Sequence, residues 1–182
     1  MTADTEHELK ITVVPRARLS DREQRMIIAL CSRAYDEDMA PLLSTFADAT
    51  HVLGFANGLL VSHALRVTRF LQIGQRPPLR TAYVEAVATA PEWRKRGFAA
   101  AIMSRLASEI HDFDLAALSP FDTRYYARLG WEVWQGPLSI RTADGLQPSP
   151  ADEEVMILRL PKTPALDRTQ SLSAEGREGE WW

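Results

Sequence analysis

The sequence is poor in the residues that usually build disulfides and metal sites. It has a single cysteine, Cys31, among 182 residues, which excludes an internal disulfide and leaves no cysteine cluster for zinc. Its four histidines lack the spacing of metal ligands, and we expect no metal ion. Cys31 lies among apolar residues on one face of a predicted helix, where a core thiol is favoured over a nucleophile.

Long apolar runs and an excess of basic charge are also missing. No run approaches the roughly 18 apolar residues that a membrane-spanning helix requires. The first residues are polar and acidic, whereas a secretory signal is basic and then apolar, so we expect a cytoplasmic protein. The net charge of −3 argues against nucleic acid as the main partner, and it is compatible with a cationic substrate.

The composition that remains is typical of a folded globular domain. Hydrophobic residues make up 46% of the chain and charged residues 25%, which is unlike a disordered protein. A chain of 182 residues is long enough to bury a hydrophobic core without disulfides or metals. No internal repeat or second domain is visible, so we predict one domain over residues 1–182.

The most informative segment, residues 82–104, predicts a strand, a basic turn and a helix. Its first half alternates with a period of two, which indicates a strand that Pro91 ends. From Phe98 onwards, apolar residues recur every four positions, which indicates an amphipathic helix. The turn between them consists of Arg94, Lys95, Arg96 and Gly97. A basic cluster alone is typical of a solvated surface, but here helix N–H groups, the helix dipole and the cations would face one anion, as in a phosphate site.

The other patterns predict a mixed α/β order of elements. Ser20 and Glu23 have the spacing of a capping box that begins a helix, and Asn57-Gly58 is typical of a hairpin turn. Residues 141–150 have the composition of a loop, and after Pro161 the periodicity is lost, which is typical of a disordered tail. The predicted strands are 9–14, 51–55, 59–72, 80–89, 113–118, 131–134 and 155–160, and the predicted helices are 20–35, 96–111 and 122–129.

The residues from Arg94 to Ala99 match the Gln/Arg-x-x-Gly-x-Gly/Ala signature of the Gcn5-related N-acetyltransferases, the GNAT superfamily, which the chain resembles. The resemblance implies an α/β (α+β mixed) GNAT fold, in which a twisted, mixed, mostly antiparallel sheet carries helices on both faces. It also implies acetyl-CoA as the cosubstrate. The residues that would bind acetyl-CoA are Val87 and Thr89 on the strand, and Arg94, Lys95, Arg96, Gly97, Phe98 and Ala99 at the turn.

Two residues are candidates for the chemistry of acetyl transfer. Glu85 lies on the central strand amid small and apolar residues, where an ionised acid loses hydration and so indicates a function. We predict that Glu85 is the general base, acting through water; a structural carboxylate is the alternative. The resemblance gives Tyr126 the place of the tyrosine before the family's Gly-Trp pair, here Gly130 and Trp131, and so the role of protonating the coenzyme A thiolate. A packing aromatic is the alternative, and Tyr125 is the competing tyrosine.

A narrower resemblance, to the aminoglycoside 2'-N-acetyltransferases, extends over nearly the whole chain. In that family the tail folds back to bind the drug, which implies that residues 161–182 fold back onto the acceptor site. The resemblance rests on Tyr83-Val84-Glu85, Val87-Ala88, Trp93-Arg94, Ala117-Leu118-Ser119, Tyr126, Gly130-Trp131, Gly136-Pro137 and the ending Gly179-Glu180-Trp181-Trp182. The implied acceptor contacts are Asp38, Glu85, Ser119, Asp152 or Glu153, Glu180 and the terminal carboxylate of Trp182.

Acidic clusters are consistent with a cationic acceptor. They lie at residues 36–38, at residues 152–154 and among residues 175–180. Each cluster alone is typical of a solvated surface, and together on this fold they predict a negatively lined cleft that attracts a polycation. Glu180 stands where the family usually has aspartate, and the alignment leaves open whether Asp152, Glu153 or Glu154 contacts the acceptor.

The resemblance therefore predicts an acetyl-CoA-dependent enzyme that acetylates the 2'-amino group of aminoglycosides and so confers antibiotic resistance. The transfer would be direct, without a covalent enzyme intermediate. One alternative is a GNAT acetyltransferase for another amine, such as a polyamine, a cell-wall amino sugar or a protein N-terminus. Another is a non-catalytic module that binds coenzyme A or a cationic drug. The family's habit also implies a homodimer.

Overall fold

The computed structural model describes residues 8–177 and residue 182. The chain forms two compact units, each built from separate stretches of sequence. The first unit comprises Met1–Arg66 and Glu85–Leu106, and the second comprises Val67–Val84 and Ala107–Trp182. The prediction of a single domain over residues 1–182 stays a prediction.

The first unit combines antiparallel strands with helices. Its elements are β1 (Lys10–Pro15), α1 (Asp21–Tyr35), α2 (Ala40–Thr45), β2 (Thr50–Ala56), β3 (Leu59–Ile73), β4 (Leu79–Thr89) and α3 (Phe98–Glu109), of which β3, β4 and α3 extend into the second unit. Strand β2 pairs antiparallel with β1 and with the first part of β3. Directly after the last residue of β4, the Ala90 N–H donates to the Val61 carbonyl on β3 over 2.9 Å.

Local signals in the first unit act as predicted. The Ser20 hydroxyl accepts from the Glu23 N–H while the Glu23 carboxylate accepts from the Ser20 N–H, which completes the capping box of α1 and satisfies two N–H groups of the first turn. Asn57 and Gly58 adopt φ angles of 52° and 77° in the turn between β2 and β3, as a tight hairpin requires. Cys31 is fully buried on α1, and burial raises the pKa of its thiol to about 12. The predicted core thiol is therefore confirmed.

The second unit is dominated by a mixed sheet. The elements added here are β5 (Leu115–Leu118), α4 (Thr123–Ala127), β6 (Glu132–Val133), β7 (Leu138–Thr142), β8 (Gly145–Pro148), β9 (Met156–Arg159) and β10 (Leu172–Glu175). The strand order of the sheet is β6-β9-β5-β4-β3-β10-β7-β8. Strands β5 and β4 run parallel, as do β10 and β7, while the pairs β10–β3, β5–β9, β6–β9 and β7–β8 are antiparallel.

Two predictions about the second half of the chain are wrong. Residues 141–150 are not a loop, because β7 and β8 form a hairpin through most of that stretch. The described part of the tail is not disordered, because β10 inserts between β3 and β7 and fully buries Leu172 and Ala174. A strand of four residues has too few positions for a period of two to be recognised, and its pairing partners are distant in sequence.

The mixed, mostly antiparallel α/β fold is confirmed by these pairings, including the predicted parallel alignment of β5 with β4. Across residues 8–177, the helices are too short or too polar to cross a membrane.

Candidate active site

Strand β4 has an irregular backbone at Ala86, directly after the predicted base. Ala86 has a φ angle of 50°, in the left-handed region that residues other than glycine seldom adopt. A left-handed residue within a strand is typical of a β-bulge, which changes the direction of the strand and often lies next to an active site. We interpret Ala86 as such a bulge. Holding a non-glycine residue there costs about 1–3 kcal/mol, so the surrounding structure must stabilise it.

Side chains from β3, α1 and the basic turn bind the main-chain carbonyl groups of residues 86–89. His63 from β3 bonds to the Ala86 carbonyl through Nδ1, at 2.8 Å. Beyond it, each of the next three carbonyls also accepts a side-chain hydrogen bond. The donors are the Tyr35 hydroxyl to Val87 at 3.1 Å, the Ser62 hydroxyl to Ala88 at 3.2 Å and the Arg94 Nε to Thr89 at 3.3 Å. The resemblance implies that this part of β4 binds acetyl-CoA, and side chains hold its main-chain carbonyl groups in place.

Glu85 lies on β4 immediately before the bulge. Its side chain is half-buried between the buried residues Val84 and Ala86, and its Oε1 atom is enclosed from solvent. Val87 and Thr89 share this half-buried pattern, whereas Ala86 and Ala88 are buried. The alternation predicted for this strand therefore continues through the bulge and keeps Glu85, Val87 and Thr89 less buried than their neighbours.

The basic turn leads into α3 as the sequence predicts. A short 3-10 turn at Pro91–Trp93 precedes it, and α3 begins at Phe98. Lys95 and Gly97 have φ angles of 63° and 78°. A Cβ added at Gly97 would meet nothing within 4 Å, so its backbone conformation, rather than lack of space, favours glycine here.

The cations of this turn have different surroundings. The Arg94 guanidinium donates from Nε to the Thr89 carbonyl and from Nη2 to the Ala34 carbonyl, each at 3.3 Å. The Arg96 guanidinium carbon lies 4.9 Å from the centroid of the Trp93 ring, a cation–π geometry. Arg94 therefore joins the turn to the end of β4 and to α1.

The donors present at this turn fit the phosphates of acetyl-CoA. The first turn of α3 has N–H groups without acceptors inside the helix, and its dipole favours an anion. Lys95, Arg96 and Gly97 are all exposed, so a phosphate group could reach them. Cationic side chains beside main-chain N–H groups at a helix start are the usual donor set for pyrophosphate.

Tyr126 lies on α4 in the second unit, among aromatic rings. Its ring is 5.1 Å from that of Tyr125 and 6.2 Å from that of Trp131, both in edge contact. Burial, together with the neighbouring Tyr125, raises the pKa of the Tyr126 hydroxyl, so it stays protonated. Burial also raises the pKa of Tyr125, whose hydroxyl is enclosed without a hydrogen-bond partner in the described part of the chain.

Two of the predicted acceptor residues meet directly. The Ser119 hydroxyl at the end of β5 donates to Glu153 Oε1 over 2.8 Å. Glu153 is half-buried, whereas Asp152 and Glu154 are exposed. Among the three acids that the sequence leaves open, Glu153 is therefore the one joined to Ser119. Asp38 belongs to the first unit, where its Oδ1 accepts from the Ala40 N–H at 3.0 Å, at the start of α2.

Trp182 is buried against residues that the sequence did not point to. Its indole Nε1 donates to the Ser149 hydroxyl over 2.7 Å, and its main-chain oxygen accepts from Arg177 at 3.1 Å. The guanidinium carbon of Arg69 lies 4.9 Å from the Tyr83 ring centroid and 6.0 Å from that of Trp182. Glu180 lies outside the described residues. Across residues 8–177 and 182, no three His, Cys, Asp or Glu side chains cluster as a metal site.

Arg69 is a buried cation that sequence reasoning missed. Only 2% of it is exposed, and its Nη2 atom donates to the Glu175 main-chain oxygen at 2.8 Å. Its Nε lies 3.6 Å from the Glu175 carboxylate. An arginine among hydrophobic strand residues could have been noticed, but nothing in the sequence names a partner 106 positions away.

Comparison with known proteins agrees with this geometry. Residues 17–134 match the family described as "Acetyltransferase (GNAT) domain". Over 148 residues the chain is 36% identical to an aminoglycoside 2'-N-acetyltransferase of Mycolicibacterium fortuitum, and the match covers 75% of each chain.

Solved structures with the same fold have lower sequence identity. The GNAT family N-acetyltransferase YhbS of Escherichia coli, in complex with CoA, has a TM-score of 0.61 at 14% identity, covering 91% of this chain and 90% of that one. Eis1 of Mycobacterium abscessus has a TM-score of 0.61 at 19% identity, and this chain spans about a third of it, since the match covers 72% here and 33% there. These likenesses show the fold, while the family match and the M. fortuitum relative show the relationship. The chain belongs to the GNAT family of acetyltransferases.

Proposed function

We propose that this acetyltransferase uses acetyl-CoA to acetylate the 2'-amino group of aminoglycosides. The observation that carries the proposal is the hydrogen bond between Ser119 and Glu153, at 2.8 Å. These residues are 34 positions apart, and the resemblance implies that Ser119 and either Asp152 or Glu153 contact the acceptor. The relative that is 36% identical, an aminoglycoside 2'-N-acetyltransferase, supports the same substrate class.

Acetyl transfer from a thioester to an ammonium group removes two protons from the nitrogen and adds one to the sulfur. Glu85 would accept the first proton from the substrate ammonium, directly or through water, so that the nitrogen lone pair can attack the thioester carbonyl. The new C–N bond forms as the C–S bond breaks. Tyr126, whose hydroxyl is protonated because burial raises its pKa, would donate its proton to the departing sulfur. The second proton of the nitrogen would then return to the Tyr126 oxygen, which leaves a neutral amide and a neutral tyrosine.

The chain would hold the acyl donor through β4 and the basic turn. Acetyl-CoA supplies an activated thioester, and the N–H groups at the start of α3, with Lys95 and Arg96, would bind its phosphates. Main-chain groups at Val87 and Thr89 would bind the pantetheine arm. The side-chain bonds to the carbonyls of residues 86–89 support this role, because they fix the strand before a ligand arrives.

Carboxylates would recognise the cationic acceptor. Glu153 keeps further acceptor capacity, because a carboxylate has about four lone-pair positions, and the Ser119 hydroxyl uses one of them. Charge-assisted bonds from ammonium groups to such a carboxylate are stronger than neutral bonds. Asp38, Asp152, Glu180 and the main-chain oxygen of Trp182 remain proposed contacts.

A substrate panel tests the proposal. Thiol release from acetyl-CoA is measured with gentamicin and tobramycin, which carry a 2'-amino group, and with kanamycin A, which has a 2'-hydroxyl. We expect turnover only with the first two, and acetylation at the 2' nitrogen in the product. Equal rates on all three would exclude the proposed position. Calorimetric binding of coenzyme A and drug without any product would instead indicate a non-catalytic module.

A second candidate, acetylation of another amine, is favoured by one observation. The main-chain oxygen of Trp182 already accepts from Arg177, and the cationic Arg69 lies over the Trp182 ring, so this part of the second unit is less negative than a polycation would prefer. Removal of residues 179–182 separates the two functions. An aminoglycoside enzyme should lose drug turnover, whereas full activity on a different amine after truncation would favour the second candidate.

A further inference from the structure

His63 is a fully buried histidine that the proposed chemistry does not use. It lies on β3 within the first unit and has no exposed surface. Its Nδ1 is 2.8 Å from the Ala86 carbonyl oxygen and 3.6 Å from the Cys31 sulfur. Its Nε2 is 2.9 Å from the Nδ1 of His51, a second buried histidine. Every ring nitrogen of His63 thus has a partner.

The hydrogen-bond partners determine which nitrogen of His63 carries the proton. A carbonyl oxygen can only accept, so the short contact with Ala86 requires a proton on Nδ1 of His63. Burial, with the neighbouring His51, lowers the pKa of His63 to about 3, so the ring is neutral and its Nε2 is an acceptor. His51 must then donate from its own Nδ1. The two imidazoles form a directed chain that ends at the Ala86 carbonyl.

The hydrogen-bonded pair of histidines ends at Ala86, the strained residue of β4. Ala86 has its left-handed φ angle without the freedom that glycine would provide, and only 7% of it is exposed. A buried carbonyl without a donor costs about 1–3 kcal/mol, which would add to the strain of the bulge. The Nδ1–H of His63 removes that cost only while the bulge is present, and it therefore stabilises the bulged conformation over a regular strand.

We propose that His63 is a positioning residue that maintains the bulge at Ala86 and so orients residues 87–89 for the acyl donor. The acyl-donor part of this inference rests on the proposed function. His63 does not exchange protons in the reaction, because its ring is enclosed and both nitrogens are engaged within the first unit. His51 supports it by fixing the tautomer.

Two amide substitutions test the position of the donor. The side-chain nitrogen of His63→Asn lies at the same number of bonds from Cα as Nδ1, whereas that of His63→Gln lies one bond further, like Nε2. We expect His63→Asn to keep the bond to Ala86 and His63→Gln to lose it. Cys31→Ala is the matched control, since it removes the sulfur beside Nδ1 from the same buried cluster but leaves the His63 ring and the Ala86 carbonyl in place.

The first measurement is amide hydrogen exchange of residues 86–90 in the unliganded protein, which does not depend on any substrate. We expect His63→Gln to speed exchange there about tenfold, the size of one lost buried hydrogen bond, while His63→Asn and Cys31→Ala stay near wild type. Wild-type exchange in His63→Gln, or equal acceleration in His63→Asn and His63→Gln, would overturn the proposal, because the latter result indicates a packing role.

The second measurement is the affinity for coenzyme A, together with kcat and both KM values. His63→Gln should weaken coenzyme A binding about tenfold and raise the KM for acetyl-CoA, leaving the KM for the acceptor unchanged. A change confined to the acceptor KM would contradict the inference. If the wild-type protein itself does not bind coenzyme A, the proposed function fails, and hydrogen exchange still decides whether His63 maintains the bulge.

Discussion

Glu85 is the residue whose surroundings most clearly call for a function. Its Oε1 atom is enclosed, and it precedes a residue held in a left-handed conformation. An ionised carboxylate in such a place costs free energy unless it is paired with an opposite charge or hydrogen-bonded. If Glu85 is the base, its loss should affect the chemical step and not the binding of acetyl-CoA.

We expect Glu85→Gln to lower kcat about 100- to 10,000-fold, because glutamine keeps the size of the side chain but cannot accept a proton. The KM for acetyl-CoA should not change. Glu92→Gln is the control, since Glu92 is exposed and bonded to Arg33 at 2.7 Å in the same unit. Steady-state kinetics with a responsive amine provide the measurement, and a kcat equal to that of the control would remove Glu85 from the mechanism.

Neighbouring tyrosines on α4 allow a matched comparison. We expect Tyr126→Phe to lower kcat about 100-fold or more through loss of the proton donor, while Tyr125→Phe leaves kcat near wild type. Tyr125→Phe should also not destabilise the protein, because its hydroxyl is buried without a hydrogen bond in the described residues. Kinetics and urea unfolding of both variants test this, and the reverse order of kcat values would assign the acid to Tyr125.

Residues differ in how well sequence alone predicts them. Glu85 and Gly97 could be recognised because their neighbours in sequence supply the reason, a small apolar strand and a helix start. The contacts of His63 and Arg69 are made with partners 23 and 106 positions away. Such contacts follow from strand pairing, which no local pattern specifies.

At the scale of elements, the turn before α3 is where an unusual backbone conformation and the proposed phosphate site coincide. Lys95 and Gly97 both have positive φ angles, and the turn that contains them ends where α3 begins, at Phe98. The hairpin glycine Gly58 has nearly the same φ, 77°, and equally open surroundings. The two glycines therefore share their conformation but not their proposed function.

We expect Gly97→Ala and Gly58→Ala to destabilise the protein by a similar amount, about 1–2 kcal/mol, because alanine is strained in the left-handed region. Only Gly97→Ala should weaken coenzyme A binding. Chemical denaturation and calorimetry give the two quantities. Equal affinities for coenzyme A in both variants would contradict a phosphate site at this turn.

Local sequence signals predicted the elements whose determinants lie within a few residues. The other elements depend on pairing between strands that are distant in sequence. The capping box of α1 and the Asn57-Gly58 turn are specified within four residues. In contrast, β8 is exposed along its whole length and contains turn-forming residues, so its composition indicated a loop. Strand β10 exists because β3 and β7 lie on either side of it.

For the whole molecule, the buried histidines predict how stability changes with pH. Burial and the charge of Arg16 lower the pKa of His51 from 6.5 to about 4, and that of His63 is lowered to about 3. A folded pKa below the unfolded value means that the unfolded chain binds more protons between the two. The stability from these residues is therefore complete above pH 6.5 and is lost as the pH falls below it.

We expect the free energy of unfolding of the wild type to fall between pH 6.5 and pH 4 more steeply than that of His63→Asn. The difference in slope should approach about 1.4 kcal/mol per pH unit, the value for one proton. Urea unfolding at a series of pH values provides both curves. The carboxylates are common to both proteins, so their contribution to the free energy of unfolding cancels in the difference between the curves. Parallel curves would show that His63 does not titrate on unfolding.

Strand β10 also has a consequence for the synthesis of the protein. It pairs Leu172 with Ile73 on one side and with Leu138 on the other, so it closes a gap between strands that leave the ribosome much earlier. Until it emerges, those two strands present open edges, which are sites for pairing with other chains. The second unit therefore completes its sheet only after residues 172–175 have been translated, and a nascent chain that stalls before residue 172 would be prone to aggregate.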